Sequence, residues 1–287
     1  MRTIIKQIED FLQEKIKSKH ATGGGCIAQS EVITTESGKN FFLKTGVNKP
    51  NIFSNEKNGI LELAKAGCIR VPKVILHDDD FLLIENINQG SKSKNFFVDF
   101  GTQLAKLHKY NSHGYGFYED NYIGLTPQIN RTTKEEYSNW VVFYFNKRLK
   151  YQYELAQRNG YTSDKLRKGF SLLENKIDEI LAGCEMVSPS LLHGDLWNGN
   201  YLCDENGKPV LIDPAVYYGH REAELAMTKL FGGFSPEFYE AYNTAYPLQD
   251  GYDYRENIYL LYHVMNHLNI FGSSYYSQTL RLIWSYL

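Results

Sequence analysis

Three polar residues at fixed spacings constrain this chain more than any other feature of its sequence. Asn200 follows Asp195 by five residues, and Asp213 follows Asp195 by eighteen. Between Asn200 and Asp213, two apolar segments flank the sequence Asp-Glu-Asn-Gly at 204–207, which is typical of a hairpin turn. Such a hairpin would hold Asn200 and Asp213 side by side at its open end. Their amide and carboxylate oxygens are ligands that suit Mg²⁺.

This spacing resembles the catalytic loop of protein kinases, which reads H-R-D-x-x-x-x-N and is followed by the metal-binding sequence D-F-G. By this resemblance, Asp195 accepts the proton of the attacking hydroxyl group, while Asn200 and Asp213 hold Mg²⁺ against the phosphates of ATP. The alternative is a buried histidine with solvated acids around a turn. That alternative does not explain why Asp195, Asn200 and Asp213 all match the kinase spacing.

The composition excludes several other classes of protein. A chain of 287 residues with 43% hydrophobic residues can fill one large domain or two lobes. Its formal net charge of −2 lacks the basic excess of a nucleic-acid-binding protein. The apolar run at 140–145 is too short to cross a bilayer, and the N-terminus lacks a signal-peptide core. The four cysteines lack metal-ligand spacing, which indicates a reduced protein. Together these features predict a cytoplasmic protein without nucleic-acid or membrane partners.

The first part of the chain predicts a small nucleotide-binding lobe. Apolar residues at helical spacing predict a helix over 1–20. Apolar segments between turn signals then predict a five-stranded antiparallel sheet with one helix. The predicted strands include 27–34, 40–44, 74–77 and 81–84, and the predicted helix covers 53–64.

A glycine-rich loop precedes the strand predicted at 27–34. Gly24, Gly25 and Cys26 lie in this loop, where glycine lets backbone amides approach the phosphates of a nucleotide. Adjacent glycines are also typical of a flexible loop, so this interpretation depends on the position of the loop in the chain. The positive potential near such amides favours the thiolate form of Cys26 and therefore its oxidation. An unreactive small residue is the alternative for Cys26.

Lys44 ends a predicted strand at the position where a kinase keeps the lysine that grips the α- and β-phosphates. Either Glu56 or Glu62 on the following helix could pair with it. We favour Glu56, which lies on a helix face that includes Phe53. A surface acid is the alternative for this glutamate.

The chain is predicted to cross between two lobes after its last N-terminal strand. Glu85, Asn86 and Ile87 follow that strand, and their backbone groups could meet the edge of adenine. The polar, turn-rich stretch after them marks a boundary. We therefore predict a nucleotide-binding lobe at 1–88 and a catalytic and acceptor-binding lobe at 89–287.

Helical patterns dominate the predicted second lobe. A core-facing stripe predicts a helix that includes Phe97 and Leu107, and helices resume from Glu222 after the catalytic stretch. The segment 117–130 is long and irregular, and loops of that length in a compact domain are often functional. Two further amphipathic helices are predicted at 133–159 and 162–182.

Several runs of the sequence resemble one branch of the kinase superfamily. Gly194 in place of the kinase arginine, and Asp213-Pro214-Ala215 in place of D-F-G, resemble the aminoglycoside phosphotransferases and choline kinases. Within that branch, longer runs closely resemble the fructosamine/ketosamine kinases. These runs are 24–27, 191–197, 213–222, 225–234 and 266–272.

This resemblance implies an α+β, two-lobed protein-kinase-like fold. It also implies ATP- and Mg²⁺-dependent phosphorylation of the 3-hydroxyl group of ketosamines, free or on protein lysines, which leads to deglycation. Asn86 departs from the aromatic or histidine expected in many members, but a hinge residue acts mainly through its backbone. The matching positions are Asp195 as base, Asn200 and Asp213 as metal ligands, Lys44 and Glu56 as the phosphate-gripping pair, and Glu85, Asn86 and Ile87 as the adenine hinge.

The sequence also suggests an acceptor pocket and a redox response. Trp197, His220 and Arg221 lie close to the catalytic residues in sequence and are predicted to form the wall of the acceptor pocket. Plain core packing is the alternative for Trp197. By the family resemblance, Cys26 implies redox control through an intermolecular disulfide, so the protein is expected to be a monomer or a dimer linked through Cys26.

Two other functions remain open at this stage. A kinase for choline or an aminoglycoside would need several acids around its cationic acceptor, whereas the loop at 217–222 mixes aromatic residues with a histidine and an arginine. That mixture suits a neutral polyol with a solvent-exposed amine tail. A non-catalytic pseudokinase would lack one of the four key residues, all of which are present. The preferred sugar, the target and the oligomeric state are left open.

Overall fold

An antiparallel sheet and a larger set of helices divide the chain between them. The computed structural model describes residues 3–22 and 28–287. Gly24, Gly25 and Cys26 lie outside the described residues, so the phosphate-loop and thiol assignments remain predictions. Where the chain is described, it contains no helix that is both long and apolar enough to cross a membrane.

The sheet has five strands in the described part of the chain, in the order β1-β2-β3-β5-β4, and every neighbouring pair is antiparallel. The predicted number of strands and their antiparallel pairing are confirmed, although the first strand lies largely in a segment predicted as helix. Two helices accompany it, one before the first strand and one between the third and fourth. The elements are α1 (Ile4–Leu12), β1 (Ile16–Ala21), β2 (Gln29–Thr35), β3 (Asn40–Thr45), α2 (Ile52–Ala66), β4 (Val74–Asp78) and β5 (Phe81–Glu85).

The helix predicted over 1–20 is wrong in its second half. Helix α1 ends at Leu12 because Gln13 adopts a left-handed conformation with φ of 55°. The Glu9 carboxylate then accepts a hydrogen bond from the backbone N–H of Ile16 at 3.0 Å, and Ile16 begins the edge strand β1. Ile16 lies four residues after Leu12, so helical spacing alone could not distinguish the two structures.

The rest of the chain is mainly helical. The helix predicted at 133–159 is interrupted at Asn139, whose extended backbone separates two short helices and whose side chain caps the second. A π-helical turn over Phe145–Lys150 then connects to the next helix. The helices are α3 (Phe96–Leu107), α4 (Lys134–Ser138), α5 (Trp140–Tyr144), α6 (Tyr151–Arg158), α7 (Asp164–Ile180), α8 (Arg221–Lys229), α9 (Pro236–Ala245), α10 (Tyr252–Phe271) and α11 (Tyr276–Trp284).

Short antiparallel pairs position the loops that face the sheet. The predicted catalytic hairpin is confirmed, with a turn in which Gly207 has φ of +75° and donates its N–H to Asp204 O at 2.9 Å. The segment predicted to be irregular at 117–130 contains a small hairpin of its own. The pairs are β6 (Asn121–Ile123) with β7 (Thr126–Gln128), β8 (Ser190–Leu192) with β11 (Tyr217–Gly219), and β9 (Tyr201–Cys203) with β10 (Pro209–Leu211).

Close packing of α3 on α9 requires a glycine at one position. A Cβ atom added to Gly101 would lie 2.1 Å from the carbonyl oxygen of Phe238, which belongs to the backbone of α9. A rigid backbone atom cannot move aside as a side chain can. The helix pair therefore depends on Gly101 for its separation.

We expect Gly101→Ala to destabilise the protein by about 1–3 kcal/mol, the usual cost of overpacking a core. Gly169→Ala in α7 is the matched control, because its added methyl group meets side-chain atoms of Ile283 and Trp284. Those side chains can shift, and alanine favours the helix, so this control is expected to cost much less. Urea unfolding of both variants measures the difference. Equal midpoints would contradict the packing argument.

Candidate active site

A cleft of about 580 Å³ lies between the sheet and the helical part of the chain. Apolar side chains of the sheet and of strand β9 line one end, charged and polar residues line its centre, and Trp197 with side chains of α10 lines the other end. The residues at the first end include Val32, Phe42, Ile84 and Leu202; those at the centre include Lys44, Glu56, Asp195, Asn200 and Asp213; those at the far end include Trp197, Asn266, His267, Ile270 and Phe271. The cleft therefore brings most of the predicted site residues together.

The ammonium group of Lys44 binds two carboxylates in the centre of the cleft. Its Nζ lies 2.6 Å from Glu56 Oε1 and 2.5 Å from Asp213 Oδ1. Burial alone would lower the pKa of Lys44, but the charges of Asp213 and Glu56 outweigh it and raise that pKa. Glu62, the alternative partner considered from the sequence, instead accepts a hydrogen bond from Tyr218 and pairs with Lys65.

Asp195, Asn200 and Asp213 are held by the catalytic hairpin. The Asn200 side-chain amide donates to the Asp195 carbonyl oxygen at 2.7 Å and to Asp195 Oδ2 at 3.1 Å. The backbone N–H of Ile212 donates to Asn200 O at 3.1 Å, which brings Asp213 next to Asn200. Burial raises the pKa of Asp195 to about 8, despite the opposing hydrogen bond from Asn200. This geometry places one carboxylate beside a pair of oxygen donors.

The oxygen atoms of Asn200 and Asp213 fit a hard divalent cation. The amide nitrogen of Asn200 points to Asp195, which turns its Oδ1 atom away from that contact. Within the part of the chain that the structure describes, Oδ1 accepts no hydrogen bond. The side chain of Asp213 is 45% exposed, and one of its oxygens remains for another ligand beside Lys44. An amide oxygen and a carboxylate oxygen at one cleft surface form a suitable donor set for such a cation.

Gly194 explains the absence of the kinase arginine at this position. Its φ is +85°, and an added Cβ would lie 2.0 Å from the carbonyl oxygen of Ala215. The backbone N–H of Ala215 also donates to His193 O at 2.8 Å. The loop after Asp213 therefore crosses directly over the backbone at 193–194, and only glycine leaves enough space.

A buried carboxylate that sequence reasoning missed supports the catalytic loop from behind. Glu224 in α8 is 2% exposed, and its Oε1 accepts the backbone N–H of Gly194 at 2.7 Å. Its other oxygen accepts from His108 Nε2 at 2.9 Å, and His108 Nδ1 lies 2.7 Å from the Tyr242 hydroxyl. Burial lowers the pKa of His108, which favours this neutral arrangement. The thirty-residue separation between Gly194 and Glu224 left no sequence signal.

The predicted hinge lines the cleft. Glu85, Asn86 and Ile87 all belong to its lining, beside the apolar end. The Glu85 carboxylate turns towards Arg70, whose guanidinium group lies 2.7 Å from it and 2.7 Å from Asp204. Arg70 therefore ties the end of the sheet to the turn of the catalytic hairpin.

The structure supports only part of the predicted acceptor wall. Trp197 lines the cleft, but His220 and Arg221 do not and are 3% and 6% exposed. His220 Nδ1 lies 2.8 Å from the Tyr259 hydroxyl, and Arg221 donates to Tyr246 O at 2.8 Å. Neither side chain lines the cleft, because both are used in packing the helices together.

Side chains of α10 take the place of that pair. Asn266, His267, Ile270 and Phe271 line the far end of the cleft beside Trp197. The run at 266–272 was already noted in the sequence, but its helical spacing did not show which side faced the cleft. Its distance from the catalytic loop along the chain also concealed it.

A family model and two relatives of known name all point to the same family of kinases. The sequence matches the family model of fructosamine kinase over residues 1–287. A chloroplastic protein-ribulosamine 3-kinase of Oryza sativa subsp. indica is 41% identical over 281 residues, covering 95% of this chain and 80% of the rice protein. The ketosamine-3-kinase of Mus musculus is 32% identical and covers 99% of this chain and 98% of the mouse protein.

A solved structure extends the similarity to three dimensions. The crystal structure of a predicted fructosamine-3-kinase from Haemophilus somnus has a TM-score of 0.88 at 27% identity, covering 99% of this chain and 97% of that one. The predicted two-lobed α+β fold is thereby confirmed.

We expect Glu224→Ala to lower kcat by roughly tenfold or more while the KM for ATP changes little, because an unsupported Gly194 lets the catalytic loop move. The buried groups left without a partner should also cost about 1–3 kcal/mol each. Glu224→Gln keeps an acceptor oxygen for Gly194 and should recover much of the activity. Steady-state kinetics, normalised to folded protein by circular dichroism, measure both effects. An unchanged kcat in Glu224→Ala would refute this role.

Proposed function

The chain belongs to the fructosamine kinase family, and on that premise we propose that it uses ATP to phosphorylate the 3-hydroxyl group of ketosamines. The acceptors are fructosamine, ribulosamine or erythrulosamine adducts, free or on protein lysines. The observation that carries this proposal is a family match over the whole chain with Lys44, Asp195, Asn200 and Asp213 gathered in one cleft. Relatives named ribulosamine and ketosamine 3-kinases support the choice of acceptor.

Each charged residue of the cleft has a place in the transfer. Asp195 would orient the acceptor hydroxyl and take its proton as the oxygen attacks the γ-phosphorus atom. Lys44, kept charged by Glu56, would hold the α- and β-phosphates. Asn200 and Asp213 would hold Mg²⁺, which neutralises charge on the phosphates when bound. The hinge at 85–87 would present backbone groups to adenine.

The product of this transfer is expected to break down without a second active site. A ketosamine carries its carbonyl group on the second sugar carbon, so a phosphate on the third carbon lies next to it. Enolisation towards the first carbon lets inorganic phosphate leave by elimination. The resulting imine hydrolyses and releases the free amine. Phosphorylation therefore converts a poor leaving group into a good one and leads to deglycation of the lysine.

We expect Asp195→Asn to lower turnover by about 10²-fold or more while nucleotide binding is retained, because the variant loses its proton acceptor. Asp213→Ala should in addition weaken binding of Mg²⁺-ATP, since it removes a metal ligand. Calorimetric titration with Mg²⁺-ATP and turnover per folded molecule separate the two effects. If Asp195→Asn keeps more than half of wild-type turnover, Asp195 is not the base.

We expect Trp197→Ala to raise the KM for a ketosamine much more than the KM for ATP, because Trp197 lines the cleft two residues after Asp195, in the part that we propose holds the acceptor. Trp284→Ala is the matched control, since Trp284 is also partly buried but does not line the cleft. The assay uses ribulosyl- and fructosyl-lysine, with choline and an aminoglycoside in parallel. Mass spectrometry should show phosphate addition to glycated protein, followed by regeneration of lysine. Phosphorylation of choline or the aminoglycoside alone would overturn the ketosamine assignment.

A further inference from the structure

A series of aromatic rings continues the acceptor end of the cleft to the protein surface. The ring centroids of Trp197 and Phe231 lie 5.5 Å apart, and those of Phe231 and His267 lie 5.0 Å apart. His267 also contacts Phe271 and Tyr275, at 5.4 and 5.2 Å. We call this set the outer aromatic strip: Trp197, Phe231, His267, Phe271 and Tyr275. It joins three separate segments of the chain into one surface.

The strip is exposed where it leaves the cleft. Phe231 is 42% exposed and Phe271 is 54% exposed, whereas Trp197 and His267 are partly buried nearer the catalytic residues. A single exposed aromatic side chain is common, but Phe231 and Phe271 both contact the ring of His267 and so form one contiguous patch, which is typical of a binding surface. Continuity with the cleft lining indicates that the occupant of the strip is part of the cleft's own ligand.

The backbone at Phe231 is strained. Phe231 has φ of 60° and ψ of 40°, a left-handed conformation that aromatic residues rarely adopt. Gly232 and Gly233 follow with positive φ, so the turn already contains residues that accept this conformation without cost. A phenylalanine at the first position therefore weakens the turn, and such strain is typical of functional sites.

Every carboxylate among the described residues of the cleft lining already has another partner or role, so none is free to pair with a cation. Glu56 binds Lys44, and Glu85 binds Arg70. Asp195 and Asp213 belong to the phosphate-transfer centre. A positively charged group of the acceptor must therefore find another partner, and the faces of aromatic rings attract cations.

His267 does not oppose a cation on the strip. Burial lowers the pKa of His267, against a hydrogen bond with the His263 carbonyl oxygen, so its ring is neutral near pH 7. A neutral imidazole ring between Phe231 and Phe271 keeps the strip free of positive charge at its centre. The strip thus combines apolar surface with a potential that suits an alkylammonium group.

We propose that the outer aromatic strip binds the protonated secondary amine and the methylene stem of the lysine that carries the sugar. This inference rests on the proposed function. In a ketosamine the amine is attached to the first sugar carbon, two carbons from the reacting hydroxyl group. With that hydroxyl group at Asp195, the amine reaches the adjacent ring of Trp197, and the stem extends over Phe231 and Phe271 to solvent. The strip therefore selects amine-linked sugars on lysine side chains.

Two variants and two acceptors test the proposal. One acceptor is ribulosyl-Nε-lysine with an acetylated α-amine, and the other is its isostere with an ether oxygen in place of the secondary amine. Phe231→Gly and Phe271→Ala should each lower kcat/KM for the amine by about threefold to tenfold, mainly through KM. The ether should lose less, because it has no charge to place on the rings. The KM for ATP should stay unchanged.

Phe11→Ala is the matched control, because Phe11 is also 54% exposed and lies in α1, outside the cleft lining. It should change neither acceptor's kinetics. Phe231→Gly relieves the strain at φ of 60° but loses ring contacts with Trp197 and His267, so its thermal unfolding is measured and its kinetics are normalised to folded protein. A loss of kcat/KM in that variant would therefore not reflect misfolding.

The outcomes separate this inference from the function on which it rests. A larger loss for the amine than for the ether supports binding of the ammonium group by the strip. Equal losses for both acceptors, or no loss for either, overturn it while leaving the ketosamine kinase assignment intact. If the wild-type protein phosphorylates no ketosamine, the proposed function fails and the inference fails with it.

Discussion

The buried ammonium group of Lys44 is the interaction on which the arrangement of the molecule depends. It lies between Glu56 of helix α2 and Asp213 after strand β10, so it joins the sheet, its helix and the catalytic hairpin. Removing a lysine charge from water is costly, and two close carboxylates offset that cost here. Because both partners are needed, the position of α2 and the position of Asp213 are coupled. The charged centre of the cleft takes its shape from this coupling.

A second polar network supports the cleft from the helical side. Glu224 holds the backbone of the catalytic loop at Gly194, and His108 and Tyr242 hold Glu224. All of these groups are buried, so each depends on the others for its hydrogen bonds. The lining of the cleft differs in chemical character from one end to the other. It is charged around Lys44, Glu56 and Asp213 and aromatic around Trp197 and Phe271, which suits the proposed transfer to a sugar attached to a larger molecule.

Local spacing in the sequence determined the chemistry of the centre. The interval between Asn200 and Asp213 contains a strong turn, and a hairpin with that turn brings its two ends together whatever surrounds it. Local patterns also predicted the positions of Lys44 and Glu56. Lys44 ends an apolar strand segment, and Glu56 lies on the helix that follows it. Strand and helix periods also identified most of the sheet. The edge strand was missed because Ile16 fits both periods.

Only the tertiary structure decided which side chains face the cleft at its acceptor end. His220 and Arg221 follow Asp213 closely in sequence, yet helix packing directs His220 to Tyr259 of α10 and Arg221 to the backbone of Tyr246 just after α9. His267 lies far from Asp195 along the chain, and the position of α10 brings it to the same cleft, where its ring also contacts Phe231. Proximity in sequence determines local geometry, whereas the direction of a side chain depends on what packs against its element. That packing involves residues too distant for any sequence period to reveal.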